Sequence, residues 1–378
     1  MKLVHVADLH LGKTVNEINL LKDQEYILQQ ILKITVEEEA DGILIAGDIY
    51  DRSIPPAEAV VIFDRFLTEL SEKGIFVCCI GGNHDSGERL DFGKHFFENR
   101  DVYIEGMFSG KIKVIEKRDA YGSIYIHLLP FFKPIQVKAY YQDKKIDSPE
   151  TAMRVLLEEH SVKKDTRNIL VTHQFVTGAN TMETSESEQE ILVGGMGQIS
   201  YELFSGFDYV ALGHLHGPQK AGREEIRYSG SPLKYSFSEE FQKKSVVIVN
   251  IKEKGNMEIH SRSLSFLHDM RTIKGPIKKL LNPEVSGQEN VEDYLRVCLT
   301  DREELVDPAA KLRMVYPNLM ELTMEKNQVS EEKDYIIGRK EKTPMEMAES
   351  FLKLTFGEAE EERMKCLQAL LEEGRQEL

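Results

Sequence analysis

Apolar runs of strand length alternate with amphipathic stretches of helix length along the first part of the chain. In the amphipathic stretches apolar side chains recur three and four residues apart, as at Ile27, Ile31 and Ile34. The predicted strands are residues 2–7, 42–46 and 75–80, and the predicted helices are residues 22–39 and 57–73. Because strands separated by helices pair in parallel, this pattern predicts an α/β sheet.

The strand pattern continues through the middle of the chain and restarts as a separate small unit near residue 266. The predicted strands of the middle part are residues 123–129, 168–172, 209–213, 245–251 and 257–263. The small unit is predicted to be α+β, with strands at residues 268–273, 294–300 and 319–324 and helices at residues 276–281 and 307–316. We expect two short helices with one apolar stripe each in residues 341–378, and an exposed loop at residues 178–197.

The composition is that of a globular protein. Of the 378 residues, 41% are hydrophobic and 30% are charged, which excludes wholesale disorder. No apolar run approaches the roughly 18 residues that span a bilayer. Four scattered cysteines form no disulfide framework, so we expect a cytoplasmic protein without a membrane segment. The net charge of −16, taken alone, argues against DNA as a partner, since phosphate binding normally goes with a basic excess.

One motif near the N-terminus imitates the phosphate-binding loop of ATPases. Residues 7–14 read ADLHLGKT and follow a predicted strand. A loop that cradles phosphate needs small residues, so that its backbone N–H groups converge on the anion. Here Leu9 and Leu11 are bulky and Asp8 would repel phosphate, so the motif disfavours an ATPase.

Side chains of the types that bind metals follow five of the predicted strands. They lie in the segments DLH at residues 8–10, GD at 47–48, GNHD at 82–85, TH at 172–173 and GHLH at 213–216. Since strand ends gather at one edge of an α/β sheet, these five segments can surround one small volume. Each segment alone has a plain explanation as a turn or a buried histidine, but the combination favours a metal site.

The donor types indicate divalent metals bound through oxygen and nitrogen. The set is Asp8, His10, Asp48, Asn83, His173, His214 and His216. It contains no thiolate, which argues against a structural zinc site. Seven donors are too many for one ion and suit two ions about 4 Å apart, with the Asp48 carboxylate bridging them. Of the histidines outside the five segments, His5 and His127 lie inside predicted strands and are expected to be structural. The others lack partners at ligand spacing: His95, His160, His260 and His268.

Together these segments resemble the motif set of calcineurin-like metallophosphoesterases. More narrowly they resemble the SbcD family, the nuclease subunits of bacterial SbcCD complexes. The narrower resemblance rests on GDIYD at residues 47–51 followed by Pro55 and Pro56, on YSGSPLKYSFSE at residues 228–239, and on DP at 307–308 leading to YPN at 316–318. It covers residues 1–325 and is weak in the tail.

The resemblance implies a metallophosphoesterase β-sandwich flanked by helices over residues 1–265. It also implies a small α+β capping domain for DNA recognition over residues 266–335 and a helical partner-binding tail over residues 336–378. Two manganese ions would be held, one by Asp8, His10, Asp48 and His216 and the other by Asp48, Asn83, His173 and His214. His84 would be the catalytic histidine, and Asp85 would either orient His84 or serve only in a turn.

The activity implied by the resemblance is DNA cleavage, as a 3′-to-5′ double-strand exonuclease and an endonuclease, in DNA repair and recombination. The implied partner is an SbcC-type coiled-coil ATPase docked on the C-terminal helices, and a homodimer through residues 56–73 or 88–97 is expected by analogy. We expect DNA contacts from basic and aromatic residues in or near the motif loops: Lys13, Arg52, Arg89, Lys94, Lys234, Tyr235, Lys243 and Lys244.

Two alternative functions stay open on the sequence alone. A phosphatase or phosphodiesterase acting on a small molecule shares every metal ligand, whereas a non-catalytic scaffold subunit would need none of them. The acidic total does not exclude DNA, because much of it is local. Residues 341–378 hold ten Glu against five Lys and Arg, and residues 178–197 hold four Glu and no Lys or Arg.

Overall fold

The computed structural model describes residues 1–178, 182–186, 188, 197–287, 290–303 and 305–325. The two helices predicted in residues 341–378 lie outside the described residues. Residues Met1–Glu325 pack as one compact unit. In the described part of the chain, none of the helices has the length and hydropathy needed to span a bilayer.

The described residues form short strands and helices that alternate in the first third of the chain. In chain order the strands are β1 (Lys2–Val6), β2 (Thr14–Val15), β3 (Ile18–Asn19), β4 (Gly42–Ala46), β5 (Phe76–Ile80), β6 (Val102–Glu105), β7 (Lys113–Asp119), β8 (Gly122–Leu129), β9 (Arg167–His173), β10 (Val176–Thr177), β11 (Ile199–Ser200), β12 (Tyr209–Gly213), β13 (Gln219–Lys220), β14 (Ile226–Tyr228), β15 (Ser245–Ile251), β16 (Met257–Ser263), β17 (Met270–Gly275), β18 (Tyr294–Leu299) and β19 (Leu319–Met324). The helices are α1 (Leu21–Glu37), α2 (Ala57–Glu72), α3 (Gly87–Leu90), α4 (Lys94–Glu98), α5 (Pro134–Tyr140), α6 (Pro149–Glu159), α7 (Ile277–Leu280), α8 (Pro283–Ser286) and α9 (Pro308–Arg313).

The first sheet has six strands in the order β16-β15-β1-β4-β5-β6. β1, β4, β5 and β6 run parallel, whereas β15 pairs antiparallel with β1 and with β16. Helices α1 and α2 cover one face of this sheet. Apolar side chains recur at helical spacing along both helices and form one apolar side on each, which packs against the sheet. Ile27 and Ile31 of α1 and Phe63 and Phe66 of α2 are buried there. This sheet is the α/β sheet that the sequence predicts.

The second sheet also has six strands, in the order β13-β14-β12-β9-β8-β7. Its central strands β8, β9, β12 and β14 are parallel, and α5 and α6 pack with its outer face. The inner faces of the two sheets share one apolar core, which includes Leu44, Val171 and Ala211. Successive side chains of a strand point to opposite faces of the sheet, and the neighbouring cysteines of β5 do so: Cys78 lies in this shared core and Cys79 lies beneath the helices. The result is the predicted β-sandwich flanked by helices.

A third sheet of three parallel strands, β17-β18-β19, has its own apolar core with α7 and α9. It is tied to the first part of the chain by buried polar contacts. The Tyr294 hydroxyl donates to Asp23 of α1 over 2.7 Å, and the Lys234 ammonium lies 2.7 Å from an Asp269 carboxylate oxygen. The division of the chain into domains at residues 265 and 335 stays a prediction.

The predicted loop at residues 178–197 differs from the structure in one respect. Among its described residues, Ser185 and Glu188 are buried, with exposed fractions of 3% and 4%. The expectation of an exposed loop is therefore wrong for these two residues, which return to the sandwich. The cause is a pair of hydrogen bonds from backbone N–H groups to the Glu188 carboxylate, a contact that hydrophobic patterning cannot show.

Candidate metal centre

All seven predicted ligands lie together where the two sheets of the sandwich meet. Asp8, Asp48 and Asn83 follow the carboxyl ends of β1, β4 and β5 in the first sheet, while His173 ends β9 and His214 follows β12 in the second. Parallel strands in both sheets thus deliver their following loops to one place. The sandwich brings the loops close: Gly47 has φ +90°, and a Cβ at this position would collide with the His173 ring.

The backbone of this centre is held in an uncommon conformation at four non-glycine residues. Asp8, His10, Asp48 and His214 have φ angles of 54°, 44°, 50° and 110°. Such conformations cost on the order of 1–3 kcal/mol each and persist only where the surroundings impose them, typically at functional sites. Here the imposed turns point carboxylates and imidazoles at one another.

Asp8, His10 and His216 form one group of donors. Ligand atoms of the three residues lie within 4.8 Å of one another, and all three side chains are buried. The Nε2 atoms of His10 and His216 are 3.1 Å apart. The Asp8 carboxylate accepts the backbone N–H of His214 over 3.0 Å, which fixes it against the loop after β12.

Asn83, His173 and His214 form a second group. The Asn83 side-chain oxygen lies 3.0 Å from Nε2 of His173 and 3.1 Å from Nδ1 of His214. His173 donates its Nδ1–H to the carbonyl oxygen of Ala46 over 2.8 Å, so its Nε2 is the atom turned into the centre.

Asp48 lies between the two groups. Its Oδ2 atom is 3.7 Å from Nε2 of His10 and 3.4 Å from Nε2 of His173. Its Oδ1 atom accepts the backbone N–H of His84 over 2.9 Å, which holds the carboxylate in place. A single carboxylate placed in this way has the geometry to give oxygen to two ions.

Burial and mutual charge shift the pKa values of these groups. Burial raises the pKa of the Asp8 carboxyl and lowers that of His10 and His214. Burial would also lower the pKa of His173, but the carboxylate of Asp48 reverses this and raises it. Without metal, a protonated His173 thus offsets part of the charge of Asp48.

The donor set fits two divalent cations. Four carboxylates in and around the centre are almost fully buried, namely those of Asp8, Asp48, Glu188 and Glu239, and Lys244 is the buried ammonium among them. Buried charges are costly unless they are paired or coordinate metals. Nitrogen and oxygen donors of this kind suit divalent first-row metals, and the centre would supply an excess of negative charge to receive them.

His84 stands at the edge of the centre and is more accessible than the ligands. Its side chain is 35% exposed, and Nε2 lies 4.0 Å from Oδ2 of Asp48. The ring donates its Nδ1–H to the carbonyl oxygen of Asp51 over 2.9 Å. This hydrogen bond fixes the ring and turns Nε2 towards the space above the ligands, where a substrate would lie.

Asp85 connects two of the ligand-bearing loops. Its carboxylate accepts the backbone N–H groups of Ile49, Tyr50 and Gly82 over 3.1, 2.9 and 2.8 Å. The first two belong to the loop after β4 and the third to the loop after β5. Asp85 therefore fixes Asp48 and Asn83 relative to each other through the backbone rather than by a hydrogen bond to the His84 ring.

Three further residues support the centre and were not recognised as such in the sequence. Glu188 accepts the backbone N–H of His216, Glu239 receives Nδ1–H of the same histidine over 3.3 Å, and Lys244 donates to its carbonyl oxygen over 2.9 Å. Glu188 is one of several glutamates in an acidic loop and carries no signal. Glu239 ends the segment YSGSPLKYSFSE, which was the available clue.

Two family models match the chain. Residues 1–218 match the calcineurin-like phosphoesterase family, and residues 267–356 match a family described as the type 5 capsule protein repressor C-terminal domain. The chain is 35% identical, over 326 residues, to the SbcD subunit of the SbcCD nuclease of Staphylococcus epidermidis, an alignment that covers 85% of each chain. The chain belongs to the SbcD family of calcineurin-like phosphoesterases.

Two solved structures that match this SbcD-family chain are distant from it in sequence. A dimetal phosphatase from Danio rerio is 11% identical, with a TM-score of 0.43, and the match covers 71% of this chain and 98% of that one. The phosphoesterase Yfce from E. coli is 14% identical, with a TM-score of 0.29, and the match covers 69% of this chain and 99% of that one.

The residues predicted to contact DNA in this SbcD-family chain fall into three classes. Arg52, Arg89 and Lys243 are exposed. Lys13 and Lys94 lie at the surface but are paired, Lys13 with Asp51 over 2.7 Å and Lys94 with Asp91 over 3.0 Å. The first class is therefore the one with cations directed to solvent.

The third class is buried, so the prediction of DNA contacts is wrong for it. Lys234 is 8% exposed and donates to the carbonyl oxygen of Glu240 and to Asp269. Tyr235 is 2% exposed, and its ring packs edge-on against those of His10 and His216. Lys244 is 1% exposed and lies beneath His216. Tyr235 and Lys244 support the centre from inside the protein, whereas Lys234 ties the third sheet to the sandwich.

Proposed function

We propose that this chain is the nuclease subunit of an SbcCD-type complex and hydrolyses phosphodiester bonds of DNA with two divalent metal ions. Manganese is the metal that we propose for both positions. The observation that carries the proposal is the convergence of seven nitrogen and oxygen donors, with His84 beside them, in a chain 35% identical to the SbcD subunit of an SbcCD nuclease. A 3′-to-5′ exonuclease, an endonuclease and a cytoplasmic location are parts of the same proposal.

The geometry supports a division of the ligands between two ions. One ion would be held by Asp8, His10, Asp48 and His216 and the other by Asp48, Asn83, His173 and His214, because these sets correspond to the two groups of donors around Asp48. When bound, the two cations would activate a water for attack on phosphorus and neutralise charge on the phosphate oxygens.

His84 is the proposed catalytic residue. Its Nδ1–H is engaged by the carbonyl oxygen of Asp51, so Nε2 is available to a phosphate oxygen placed above Asp48. A protonated Nε2 would donate to that oxygen and would help the leaving oxygen depart as it gains charge. The greater exposure of His84 agrees with a role in contacting substrate rather than metal.

The third sheet offers cations suited to holding a nucleic acid. Lys278 and Lys279 on α7 and Lys311 and Arg313 on α9 are exposed. Together with Arg52 and Arg89 near the centre, they are candidates for contacts to the phosphate backbone, which position a duplex without reading its sequence. Contacts of this kind would come from individual exposed cations and would not require a basic excess over the whole chain.

Partner binding is the remaining part of the proposal. Large exposed apolar side chains support a homodimer: Ile54 just before α2, Val61 on α2, Phe92 between α3 and α4, and Phe96 on α4. Residues 341–378 would dock on an SbcC-type ATPase as amphipathic helices. A chain lacking residues 341–378 should lose capture by SbcC while keeping its metal-dependent cleavage of DNA, and unchanged capture would contradict this part.

A comparison of substrates separates the proposal from its alternatives. With manganese present, we expect the protein to degrade linear duplex DNA and the Asp48→Asn variant to degrade none. A phosphodiesterase for small molecules would hydrolyse bis(p-nitrophenyl) phosphate while leaving DNA intact. A scaffold subunit would hydrolyse neither substrate. Each alternative thus predicts a pattern of its own.

A further inference from the structure

We propose that Glu239 is a positioning residue for His216, and that through His216 it sets the affinity of one of the two metal ions. The inference rests on the proposed two-metal function and concerns a residue that touches no substrate or metal. Glu239 lies at the end of a short 3-10 helix, Phe237–Glu239, on the connection that crosses from β14 in one sheet to β15 in the other.

The two carboxylate oxygens of Glu239 have different partners. Oε1 receives Nδ1–H of His216 over 3.3 Å, while Oε2 lies 2.6 Å from the ammonium of Lys244. Since Nδ1 of His216 carries the proton for this hydrogen bond, Nε2 is left with its lone pair, directed at the space that it shares with Nε2 of His10. A carboxylate behind a metal-binding histidine fixes the ring and raises its basicity.

Lys244 keeps the Glu239 carboxylate in place. Both side chains are fully buried, and the ammonium also donates to the carbonyl oxygen of His216 over 2.9 Å and to Ser231 Oγ over 2.9 Å. The ammonium thus holds His216 at its backbone, while Glu239 holds it at its ring. A buried pair with this many hydrogen bonds has one arrangement available, which is what precise placement of a ligand requires.

The support acts on one side of the centre only. His216 lies with Asp8 and His10, and the other group around Asn83 has a support of its own, in which His173 donates to the backbone carbonyl oxygen of Ala46. Loss of the Glu239 carboxylate should therefore weaken the binding of one ion and leave the binding of the other unchanged. A general loss of packing would have no such preference.

The test is a manganese-binding isotherm of the full chain, with free manganese followed by electron paramagnetic resonance. For wild type we expect two ions per chain. For Glu239→Gln, which keeps the shape and removes the charge, we expect one dissociation constant to rise 10- to 100-fold, the range typical for loss of such a partner, and the other to stay within about two-fold. If the single variant fails to fold, the Glu239→Gln/Lys244→Met variant replaces it, because it removes both charges of the ion pair. It should show the same rise of one dissociation constant.

Asp119→Asn is the matched control, because it also turns the carboxylate of an ion pair into an amide, but at the pair with Arg167, which lies far from the centre. It should lower the melting temperature and leave both dissociation constants unchanged. The inference would be overturned if folded Glu239→Gln bound both manganese ions with the dissociation constants of the wild type. It would also be overturned if both dissociation constants rose equally as the variant lost stability. A wild-type chain that binds no manganese would instead overturn the proposed function itself.

Discussion

Nε2 of His10 lies 3.1 Å from Nε2 of His216, although 206 residues separate the two histidines in the chain. Two imidazole nitrogens turned towards each other in a buried space form at most one hydrogen bond, and only one of them carries a proton. Such an arrangement is suited to two ligands that converge on one ion, as we propose for this pair. It is reached because β1 and β12 belong to different sheets whose strand ends meet at one edge.

The proposed role of His84 predicts a separation between metal binding and catalysis. In His84→Ala the metal ligands are untouched, so the variant should still bind two manganese ions per chain. Hydrolysis should fall by roughly 10²- to 10⁴-fold, the usual contribution of a positioned proton donor. Metal counting and a DNA cleavage assay on the same preparation check both parts.

His95→Ala provides the control for this variant, since His95 is an exposed histidine on the nearby helix α4. It should cleave DNA at the wild-type rate. If His84→Ala loses one of its ions, His84 acts in metal binding and its proposed role is wrong.

Asp85 should matter for the geometry of the centre rather than for its chemistry. Asp85→Ala leaves three backbone N–H groups of two ligand-bearing loops without their acceptor. We expect the free energy of unfolding to fall by roughly 3 kcal/mol and hydrolysis to fall with it, because Asp48 and Asn83 lose their fixed separation. Urea denaturation measures the first effect. Ser86→Ala, which removes only a contact to Glu88, should leave both quantities unchanged.

Metal binding should stabilise the folded chain markedly. Buried carboxylates outnumber buried cations around the centre, so the metal-free protein carries uncompensated charge. At a free manganese concentration about 100 times its dissociation constant, each ion should add about 2.7 kcal/mol to the free energy of unfolding. Thermal denaturation with manganese and with EDTA measures this gain. Asp48→Asn should reduce the gain, and an equal gain in that variant would exclude Asp48 as a bridge.

A buried ion pair far from the centre predicts a pH dependence of stability alone. Asp119 at the end of β7 binds the guanidinium of Arg167 at the start of β9 through both oxygens, over 2.6 and 2.9 Å. The Arg167 guanidinium holds the pKa of the Asp119 carboxyl well below its usual range. The stability from this pair is therefore full above about pH 5 and is lost as the pH falls towards the depressed folded value.

Asp119→Asn should cost roughly 3 kcal/mol at neutral pH, because Arg167 stays buried without its counter-charge. The difference from wild type should shrink as the pH falls below about 4. DNA cleavage at pH 7 should be unchanged, since His173 lies at the opposite end of β9. A difference in unfolding free energy that is constant with pH would show that the carboxylate charge does not contribute.

Strand-end motifs made most of the centre predictable from the sequence. The seven donors follow apolar runs, and the rule that parallel strand ends share an edge is enough to bring them together. The pairing of two sheets was not contained in that pattern and came from the resemblance. Edge strands such as β7, whose exposed and buried positions alternate weakly, were not predicted.

The support around His216 could not be predicted because it depends on contacts between distant segments. Glu188, Glu239 and Lys244 look like ordinary surface charges in the sequence, and only burial distinguishes them from their neighbours. Lys234 and Tyr235 were misplaced for the same reason. Nearness to a motif along the chain says nothing about which side of a loop faces solvent.

The most direct test of the central claim is the rate at which purified protein degrades end-labelled linear duplex DNA. The account predicts degradation with manganese, none with EDTA, and none with manganese in Asp48→Asn, the variant that lacks the bridging carboxylate. Equal degradation with manganese and with EDTA, or full activity in Asp48→Asn, would contradict it.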